Sequence, residues 1–312
     1  MPLPLMLATL TDRRDFGDDW LLERKFDGER CVARKAGGDV RLESRTGKDL
    51  TGTYPEVRAA VAAQAARELL LDGEVVAYDG EQTSFSRLQQ RLGVSQPSPE
   101  RVAAYPVVFC VFDLLAVDGD DLTGSALLDR RLRLTKAVRP SAAIQLSEAW
   151  RGDSEQRFAE ACRAGWEGLI AKRADAPYGR GRSRDWLKLK CAWAQELVIG
   201  GYTDPAGSRT DFGALLVGYF EDARLRYAGK VGTGFTAPTL RELGARLRKL
   251  RAGESPFVDA RPVPRGTHWT RPELVAQIGF AEWTNEGRLR QPRFLGMRDD
   301  KPAAEVVRER PR

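Results

Sequence analysis

Residues 23–30 of the chain read Glu-Arg-Lys-Phe-Asp-Gly-Glu-Arg. Lys25 follows the apolar residues 20–22, and an Asp-Gly pair, which favours a tight turn, begins two residues after it. A lysine amine attacks phosphorus once it has lost its proton, and partial burial and nearby cations favour the neutral amine. The stretch predicts a strand end that presents Lys25 as a nucleophile, although an ordinary solvated strand would read the same way.

Two further patterns accompany this lysine. Residues 186–190 read Trp-Leu-Lys-Leu-Lys, and strand alternation puts Trp186, Lys188 and Lys190 on one face. The largely apolar segments 71–78 and 166–172 carry the candidate carboxylates Glu74 and Glu167 respectively, while Asp72 of the first segment belongs to an Asp-Gly pair. Together these residues predict a basic site with two acidic groups.

The stretch from Lys25 to Arg30 matches the K-x-D-G-x-R signature of the covalent nucleotidyltransferases, which include DNA ligases, RNA ligases and mRNA capping enzymes. The other family motifs follow in order at residues 44–47, 72–74, 112–115, 167–172 and 186–190, and residues 290–301 resemble the last ligase motif. Residues 20–30, 84–91 and 280–284 resemble most the ligase module of bacterial end-joining enzymes. Ordered motifs along nearly the whole chain make chance agreement an unlikely explanation.

The resemblance implies an ATP-dependent DNA ligase that seals 5′-phosphate/3′-hydroxyl breaks through a lysyl-AMP intermediate. Lys25 attacks the α-phosphate of ATP, Glu23 reads the adenine amino group and Phe112 stacks on the base. Glu74 and Glu167 match the ribose-binding and metal-binding carboxylates, with Mg or Mn as the divalent metal.

The cations have implied roles as well. Lys188 and Lys190 grip the α-phosphate, while Arg30 and Arg45 hold the phosphate of AMP or of the DNA end. Residues 178–184 predict a flexible basic loop, whose three arginines, Arg180, Arg182 and Arg184, are candidate DNA contacts. Four residues of the last motif, Arg290, Arg293, Arg298 and Lys301, reach the β and γ phosphates if the second domain closes over the site.

The organisation predicted from patterning is α+β with two domains. Residues 1–192 form the nucleotidyltransferase (adenylation) domain, with mainly antiparallel sheets, turns at three Asp-Gly pairs (residues 27, 72 and 118) and helices at about 55–70 and 153–165. Residues 193–312 show four strand-like runs and one helix near 238–251, which predicts a small OB-fold β-barrel.

Composition bounds the class of protein and its partners. The net charge is +6, and about +5 of it falls after residue 192, which suits a polyanionic partner such as nicked or broken duplex DNA. Cys31, Cys110, Cys162 and Cys191 are widely spaced, so we expect reduced thiols and no disulfide framework. With no signal sequence or membrane span, a cytoplasmic monomer is expected. Because only 24 residues precede Lys25, we expect no N-terminal DNA-binding domain, and a Ku-like end-binding protein is a plausible recruiter.

Three rival functions share some of these features. An RNA ligase or a capping guanylyltransferase would use the same lysine, although capping requires GTP. A non-catalytic nucleic-acid-binding module would have no need of a desolvated lysine beside two carboxylates. A glycosidase would use Glu74 and Glu167 as an acid/base pair, but the surrounding cations favour two ionised carboxylates, which is wrong for a general acid.

Overall fold

A computed structural model of the protein describes residues 4–191, 193–205, 209–261, 263–284 and 286–309. The chain divides into two compact units, the first ending at Cys191 and the second running to Glu309. In the described residues, no helix has the length and apolar character needed to cross a bilayer.

The first unit contains two main sheets and several short helices. Its strands are β1 (Met6–Leu10), β2 (Trp20–Arg24), β3 (Glu29–Ala36), β4 (Asp39–Ser44), β5 (Glu68–Val76), β6 (Tyr78–Asp79), β7 (Gln82–Thr83), β8 (Val108–Val117), β9 (Asp120–Asp121), β10 (Ile144–Leu146), β11 (Ala149–Trp150), β12 (Gly168–Arg173) and β13 (Gly181–Lys190). Its helices are α1 (Pro55–Ala62), α2 (Phe85–Leu88), α3 (Pro99–Ala104), α4 (Leu127–Ala137) and α5 (Ser154–Arg163).

Each main sheet packs one face against helices. Sheet A has the order β1-β13-β12-β2-β11, and sheet B has the order β10-β8-β5-β3-β4 with β9 beside β8. Leu22, Leu169 and Leu189 of sheet A pack in one core with Ala161 of α5, whereas sheet B packs its apolar face against α1. The other two faces meet around a small cluster of buried side chains, Met6, Phe112, Leu115, Tyr178 and Trp186. A charged site can therefore form between the two sheets.

The first predicted helix is shorter than its alanine-rich sequence suggests. It ends at Ala62 rather than near residue 70, and β5 begins at Glu68. The buried ammonium of Lys35 donates to the carbonyl oxygens of Ala62 and Gln64, and the Gln64 amide donates to Arg139 O at 3.2 Å. These contacts with distant residues satisfy the helix end, so tertiary structure overrides helix propensity.

The prediction of a turn is wrong at one of the three Asp-Gly pairs. Asp118 and Gly119 have positive φ angles of 46° and 91° and connect β8 to β9, as a tight hairpin requires. Asp72 and Gly73, in contrast, lie inside β5. A Cβ at Gly73 would lie 2.5 Å from the ring of Phe109, so this glycine serves close packing rather than a turn.

The expectation of four reduced thiols is also wrong. Cys162 of α5 and Cys191, which follows β13, form a disulfide across 29 residues of sequence. Wide spacing in the sequence hid this pair because β12 and β13 bring the two ends of the segment together. Cys31 and Cys110 are free and buried.

Reduction of this disulfide is expected to lower the free energy of unfolding by about 3 kcal/mol, because the cross-link restricts a segment of roughly 30 residues in the unfolded chain. Chemical denaturation with and without a reducing agent measures the difference. A double Cys162→Ser/Cys191→Ser variant serves as the control, since its stability should not respond to the reductant. Equal stability of the oxidised and reduced wild type would contradict the prediction.

The second unit is built on one antiparallel sheet. Its elements are β14 (Trp193–Thr203), β15 (Leu215–Glu221), β16 (Arg224–Val231), α6 (Ala237–Lys249), β17 (Arg251–Ala252), β18 (Thr267–Phe280), β19 (Glu282–Trp283), β20 (Leu289–Arg290), β21 (Arg293–Met297) and a short 3-10 helix (Ala303–Glu305). The sheet order is β16-β15-β14-β18-β17, with β21 also beside β18. The side chain of Thr236 caps α6, and the buried face of this helix carries Leu240, Leu243 and Leu247.

The predicted fold class, helices with mainly antiparallel sheets, is confirmed. In the second unit, however, the strands of the described residues do not close into a barrel. The long strand β18 instead contacts three neighbours, β14, β17 and β21, in one open sheet. The sequence predicts four strand-like runs, whereas the described residues of this unit contain eight strands, and the pattern could not show whether the two edge strands pair.

Candidate active site

Lys25 lies directly after β2, at the polar face of sheet A. Its backbone N–H donates to Gly168 O at 2.9 Å, and its ammonium forms an ion pair with the carboxylate of Glu167. The two side chains are 20% and 14% exposed, so they are shielded but open to a ligand. A Cβ at Gly168 would lie 1.8 Å from Leu189 O. Only glycine lets β12 approach β13 closely enough to place Glu167 beside Lys25.

The cations of β13 lie on the same face as this pair. Trp186, Lys188 and Lys190 stand opposite Lys172, Ile170 and Gly168 of β12, and Ile170 in turn stands opposite Glu23 of β2. Both Lys188 and Lys190 are half-buried. The predicted alternation is therefore observed, and it gives the face several positive charges near Lys25, where an anionic phosphate would be stabilised.

Glu23, the predicted reader of the adenine amino group, is deeply buried. Its Oε1 accepts from Arg131 Nη1 at 2.9 Å and pairs with Lys172 Nζ at 2.9 Å. Its Oε2 accepts from the Ser147 hydroxyl at 2.9 Å. Because a carboxylate offers about four lone-pair sites, three donors leave Glu23 room for one more.

Loss of the Ser147 hydroxyl is expected to weaken the hold on Glu23. We expect Ser147→Ala to raise the KM for ATP in self-adenylation about three- to tenfold, which corresponds to the net value of roughly 1 kcal/mol for one intramolecular hydrogen bond, with little change in kcat. Ser86→Ala removes an exposed hydroxyl and is the control. An unchanged KM for ATP would show that Ser147 does not support nucleotide binding.

Phe112 of β8 faces the same region from sheet B. Its ring centre lies 4.4 Å from Lys172 Nζ and 4.6 Å from Arg30 Cζ, and its edge contacts Trp186 at a centroid distance of 5.9 Å. Burial lowers the pKa of Lys172 below its usual value, although the nearby carboxylates of Glu23 and Asp113 oppose the shift. The aromatic ring predicted to stack on the base is thus held between two cationic side chains.

Arg30 of β3 is fixed by a buried carboxylate. Its Nε and Nη2 donate to the two oxygens of Asp72, both at 2.6 Å, and the Tyr178 hydroxyl donates to Asp72 Oδ2 at 2.6 Å. Burial opposes the charge on the Arg30 guanidinium, but Asp72 outweighs it and raises the pKa of Arg30. The arginine predicted to bind phosphate is therefore oriented before any ligand arrives.

A second buried pair supports the strand that carries Phe112. Asp113 follows it in β8, and Arg130 of α4 donates to both Asp113 oxygens at 2.7 and 2.8 Å. Neither side chain is exposed. Burial raises the pKa of Asp113, whereas Arg130 opposes that shift.

The other predicted residues of the first unit have more varied positions. Glu74 stands opposite Arg30 in the pairing of β3 with β5, and is half-buried. Arg45 lies in the turn after β4. The predicted basic loop is wrong from Gly181 onward, because β13 begins there and pairs in parallel with β1. Arg182 and Arg184 are exposed on that strand, and Arg180 is exposed just before it.

Three of the four predicted cations of the second unit form ion pairs within that unit. Arg290 is exposed and pairs with Glu282 at 2.6 Å. Arg293 is exposed on β21. Two others are shielded: Arg298 pairs with Asp300 at 2.8 Å, and Lys301 Nζ lies 3.7 Å from Glu196. Their part in nucleotide binding remains a prediction.

The donor set fits a cation that binds together with ATP. No three His, Cys, Asp or Glu side chains cluster into a metal cage in the part of the chain that the structure describes. Mg²⁺, however, is usually held by one or two carboxylates with substrate phosphates and water. Glu167 offers one such carboxylate beside Lys25, and Glu74 is a second candidate.

Comparison with known proteins agrees with this geometry. The family model of the ATP dependent DNA ligase domain matches residues 5–190, and that of the ATP dependent DNA ligase C terminal region matches residues 208–301. The chain therefore belongs to the ATP-dependent DNA ligases, as the motifs predict.

Individual relatives make the placement more specific. The multifunctional non-homologous end joining protein LigD of Pseudomonas aeruginosa is 39% identical over an alignment of 313 positions, which covers 98% of this chain and 36% of LigD. The DNA ligase of Pyrobaculum calidifontis is 33% identical over an alignment of 305 positions, which covers 90% of this chain and 52% of that protein. The solved structure of mycobacterial DNA ligase D complexed with ATP and MES is 38% identical, with a TM-score of 0.70 and 98% of both chains covered. The chain thus spans about a third of the LigD protein and resembles its ligase part.

Several residues of the site were not found by sequence reasoning. The sequence does contain a signal for Lys172, because it is a lysine within an apolar strand, as Lys188 and Lys190 are. Arg131 and Ser147 had none, because they lie 108 and 124 residues from Glu23 and only the fold brings them together.

Proposed function

We propose that this chain is the catalytic ligase module of a DNA repair enzyme, and that Lys25 carries AMP during the reaction. The observation that supports this most directly is the ion pair of Lys25 with Glu167 at the basic face of sheet A. A partly buried lysine next to a carboxylate, with further lysines on a nearby strand, suits attack on a phosphate far better than it suits DNA binding alone.

In the first step, the Lys25 Nζ attacks the α-phosphorus of ATP, the bond to the β-phosphate breaks and pyrophosphate leaves. Lys25 must first give up a proton, and Glu167 is the carboxylate placed to hold it. Lys188 and Lys190 stabilise the negative charge on the α-phosphate oxygens. Glu23 accepts a hydrogen bond from the adenine amino group, while Phe112 stacks on the base and Glu74 and Arg30 hold the ribose and phosphate.

The divalent metal, Mg or Mn, neutralises phosphate charge when it is bound. Glu167 and Glu74 are the residues that would hold it.

In the later steps AMP moves from Lys25 to the 5′-phosphate of the break, and the 3′-hydroxyl then attacks that phosphate and releases AMP. Arg45 and the exposed arginines Arg180, Arg182 and Arg184 are placed to contact the DNA backbone, so binding should weaken with salt. Arg290, Arg293 and Lys301 of the second unit bind the pyrophosphate part of ATP in the first step.

The relatives named LigD suggest the cellular role. We assign the chain to end joining, with nicked or broken duplex DNA as the substrate, a Ku-like end-binding protein as a recruiting partner and the cytoplasm as the location of a monomeric enzyme. Membership of the ATP-dependent DNA ligase family supports the proposed reaction, and the similarity to LigD supports the proposed role in end joining.

The experiment uses α-labelled ATP and Mg²⁺, followed by a chase with duplex DNA that contains one 5′-phosphorylated nick. The expected result is label on the protein that is lost as the nick closes. Parallel reactions with α-labelled GTP and with a nick in RNA test the capping and RNA-ligase alternatives. Labelling by GTP alone, or no labelling, would overturn the proposal.

A further inference from the structure

The disulfide between Cys162 and Cys191 lies beside the candidate active site. Cys162 is the last residue but one of α5, and Cys191 follows Lys190, the last residue of β13. We propose that this pair is a reversible redox site that reacts with small disulfides, such as oxidised glutathione, and that its state sets the rate of self-adenylation. The proposal rests on the ligase function proposed above.

The geometry connects the cysteines to two residues of the site. The Cys191 N–H donates to Glu167 O at 3.0 Å, so the end of β13 is tied to the residue that pairs with Lys25. On the other side, only the turn 163–166 separates Cys162 from Glu167. The disulfide, residues 162–167 and this hydrogen bond therefore form a closed ring that includes Glu167. Lys190 immediately precedes this ring in the sequence of β13.

Reduction opens this ring. The turn after α5 then keeps two backbone hydrogen bonds, from Gly165 N to Cys162 O at 3.1 Å and from Trp166 N to Ala161 O at 2.9 Å. Both bonds lie within the turn itself, and neither ties α5 to β13. Glu167 and Cys191 then remain joined by the bond from Cys191 N to Glu167 O, next to the pairing of Gly168 with Lys190. We expect the Glu167 carboxylate to be held less firmly against Lys25 in the reduced protein.

The other two cysteines do not compete for the oxidant. Cys31 and Cys110 are buried, whereas Cys162 and Cys191 are half-buried. Burial raises the pKa of Cys31 well above its usual value and that of Cys110 to about 11, so neither forms the thiolate that attacks a disulfide. The reactive pair is therefore a single, defined one.

The chemistry is ordinary thiol–disulfide exchange. The thiolate of one cysteine attacks a sulfur of the small disulfide and releases one thiolate, giving a mixed disulfide. The second cysteine then attacks the protein-bound sulfur and releases the other thiolate. Two protein thiols are oxidised, one small disulfide is reduced to two thiols, and no other reactant is needed. Disulfides of this kind in reducing compartments are usually transient and redox-sensing.

The test compares the full chain equilibrated with oxidised or with reduced glutathione. Alkylation after denaturation, read by mass spectrometry, should modify two cysteines in the oxidised protein and all four in the reduced one. Self-adenylation with α-labelled ATP at limiting Mg²⁺ should be about three- to tenfold slower after reduction, since small misplacements of a catalytic group cost this much or more. The Mg²⁺ concentration for half-maximal labelling should rise, which a general loss of stability would not produce.

Two variants separate this site from other effects of the buffer. Cys162→Ser/Cys191→Ser should label at the slow rate in both buffers, and Cys110→Ser should keep the full response. Equal rates and equal Mg²⁺ dependence for the two forms of the wild type would overturn the proposal, as would four alkylated cysteines after oxidation. Absence of labelling in both buffers would instead overturn the ligase function itself, while the alkylation count would still decide whether the disulfide forms.

Discussion

Replacing Lys25 with alanine is expected to abolish self-adenylation and to reduce ATP-dependent nick sealing by about a thousandfold or more, because the side chain supplies the nucleophile. The last chemical step should survive. A nick that already carries AMP on its 5′-phosphate needs only the attack of the 3′-hydroxyl, which does not pass through Lys25. Measuring both reactions on one preparation therefore separates a missing nucleophile from a damaged protein.

Lys136→Ala is the matched control for this experiment. Lys136 is an exposed lysine in the last turn of α4, and its loss should change neither reaction. Label on the Lys25→Ala protein would show that another residue carries AMP. Loss of both reactions in Lys25→Ala would point to misfolding or to a second role of this lysine.

The second large effect concerns the buried ion pair of Arg130 and Asp113. We expect Arg130→Met to lower the free energy of unfolding by about 3–5 kcal/mol, because it leaves the Asp113 carboxylate buried without its partner. Asp113 would then be protonated more readily in the folded protein, since burial already raises its pKa and Arg130 is the group that opposes this shift. Urea denaturation monitored by tryptophan fluorescence gives the difference.

A double variant distinguishes the lost charge from lost packing. Arg130→Met/Asp113→Leu removes both charges and should recover much of the stability, because no unpaired charge remains. The control is an exposed pair that uses the same helix: Arg133 of α4 and Asp120 of β9 are also 2.7 Å apart, but their side chains are 51% and 65% exposed. Arg133→Met should cost less than about 1 kcal/mol. Equal costs at the two positions would contradict the argument from burial.

The fold class could be read from the sequence because alternation and leucine spacing are local. The helix α6 (Ala237–Lys249) begins and ends within about two residues of the predicted 238–251. The errors have a common physical cause. The end of α1 depends on Lys35, and the disulfide depends on the pairing of β12 with β13. The open sheet depends on which strand edges pair. All three are contacts between residues that are distant in the sequence.

The site divides in the same way. Lys25, Lys188 and Lys190 were identified because their motifs are local, and the strand register places them on one face. The residues that orient Glu23 and Arg30, namely Arg131, Ser147, Asp72 and Tyr178, belong to other elements. The sequence predicts a turn at Asp72, whereas the structure shows its buried carboxylate bound to Arg30.

Helix α4 makes one feature of this site difficult to redesign. Its adjacent residues Arg130 and Arg131 bind carboxylates on different sheets, Asp113 of β8 and Glu23 of β2. An engineer who wished to change the nucleotide donor from ATP to GTP would naturally begin by replacing Glu23. That change would remove the carboxylate partner of Arg131 and leave its guanidinium with the carbonyl oxygen of Ser147, next to Arg130, which holds the strand that carries Phe112. The predicted selectivity for ATP and the stability of the fold therefore depend on the same helix. A design that changes the nucleotide donor would have to change α4 together with the residues around Glu23.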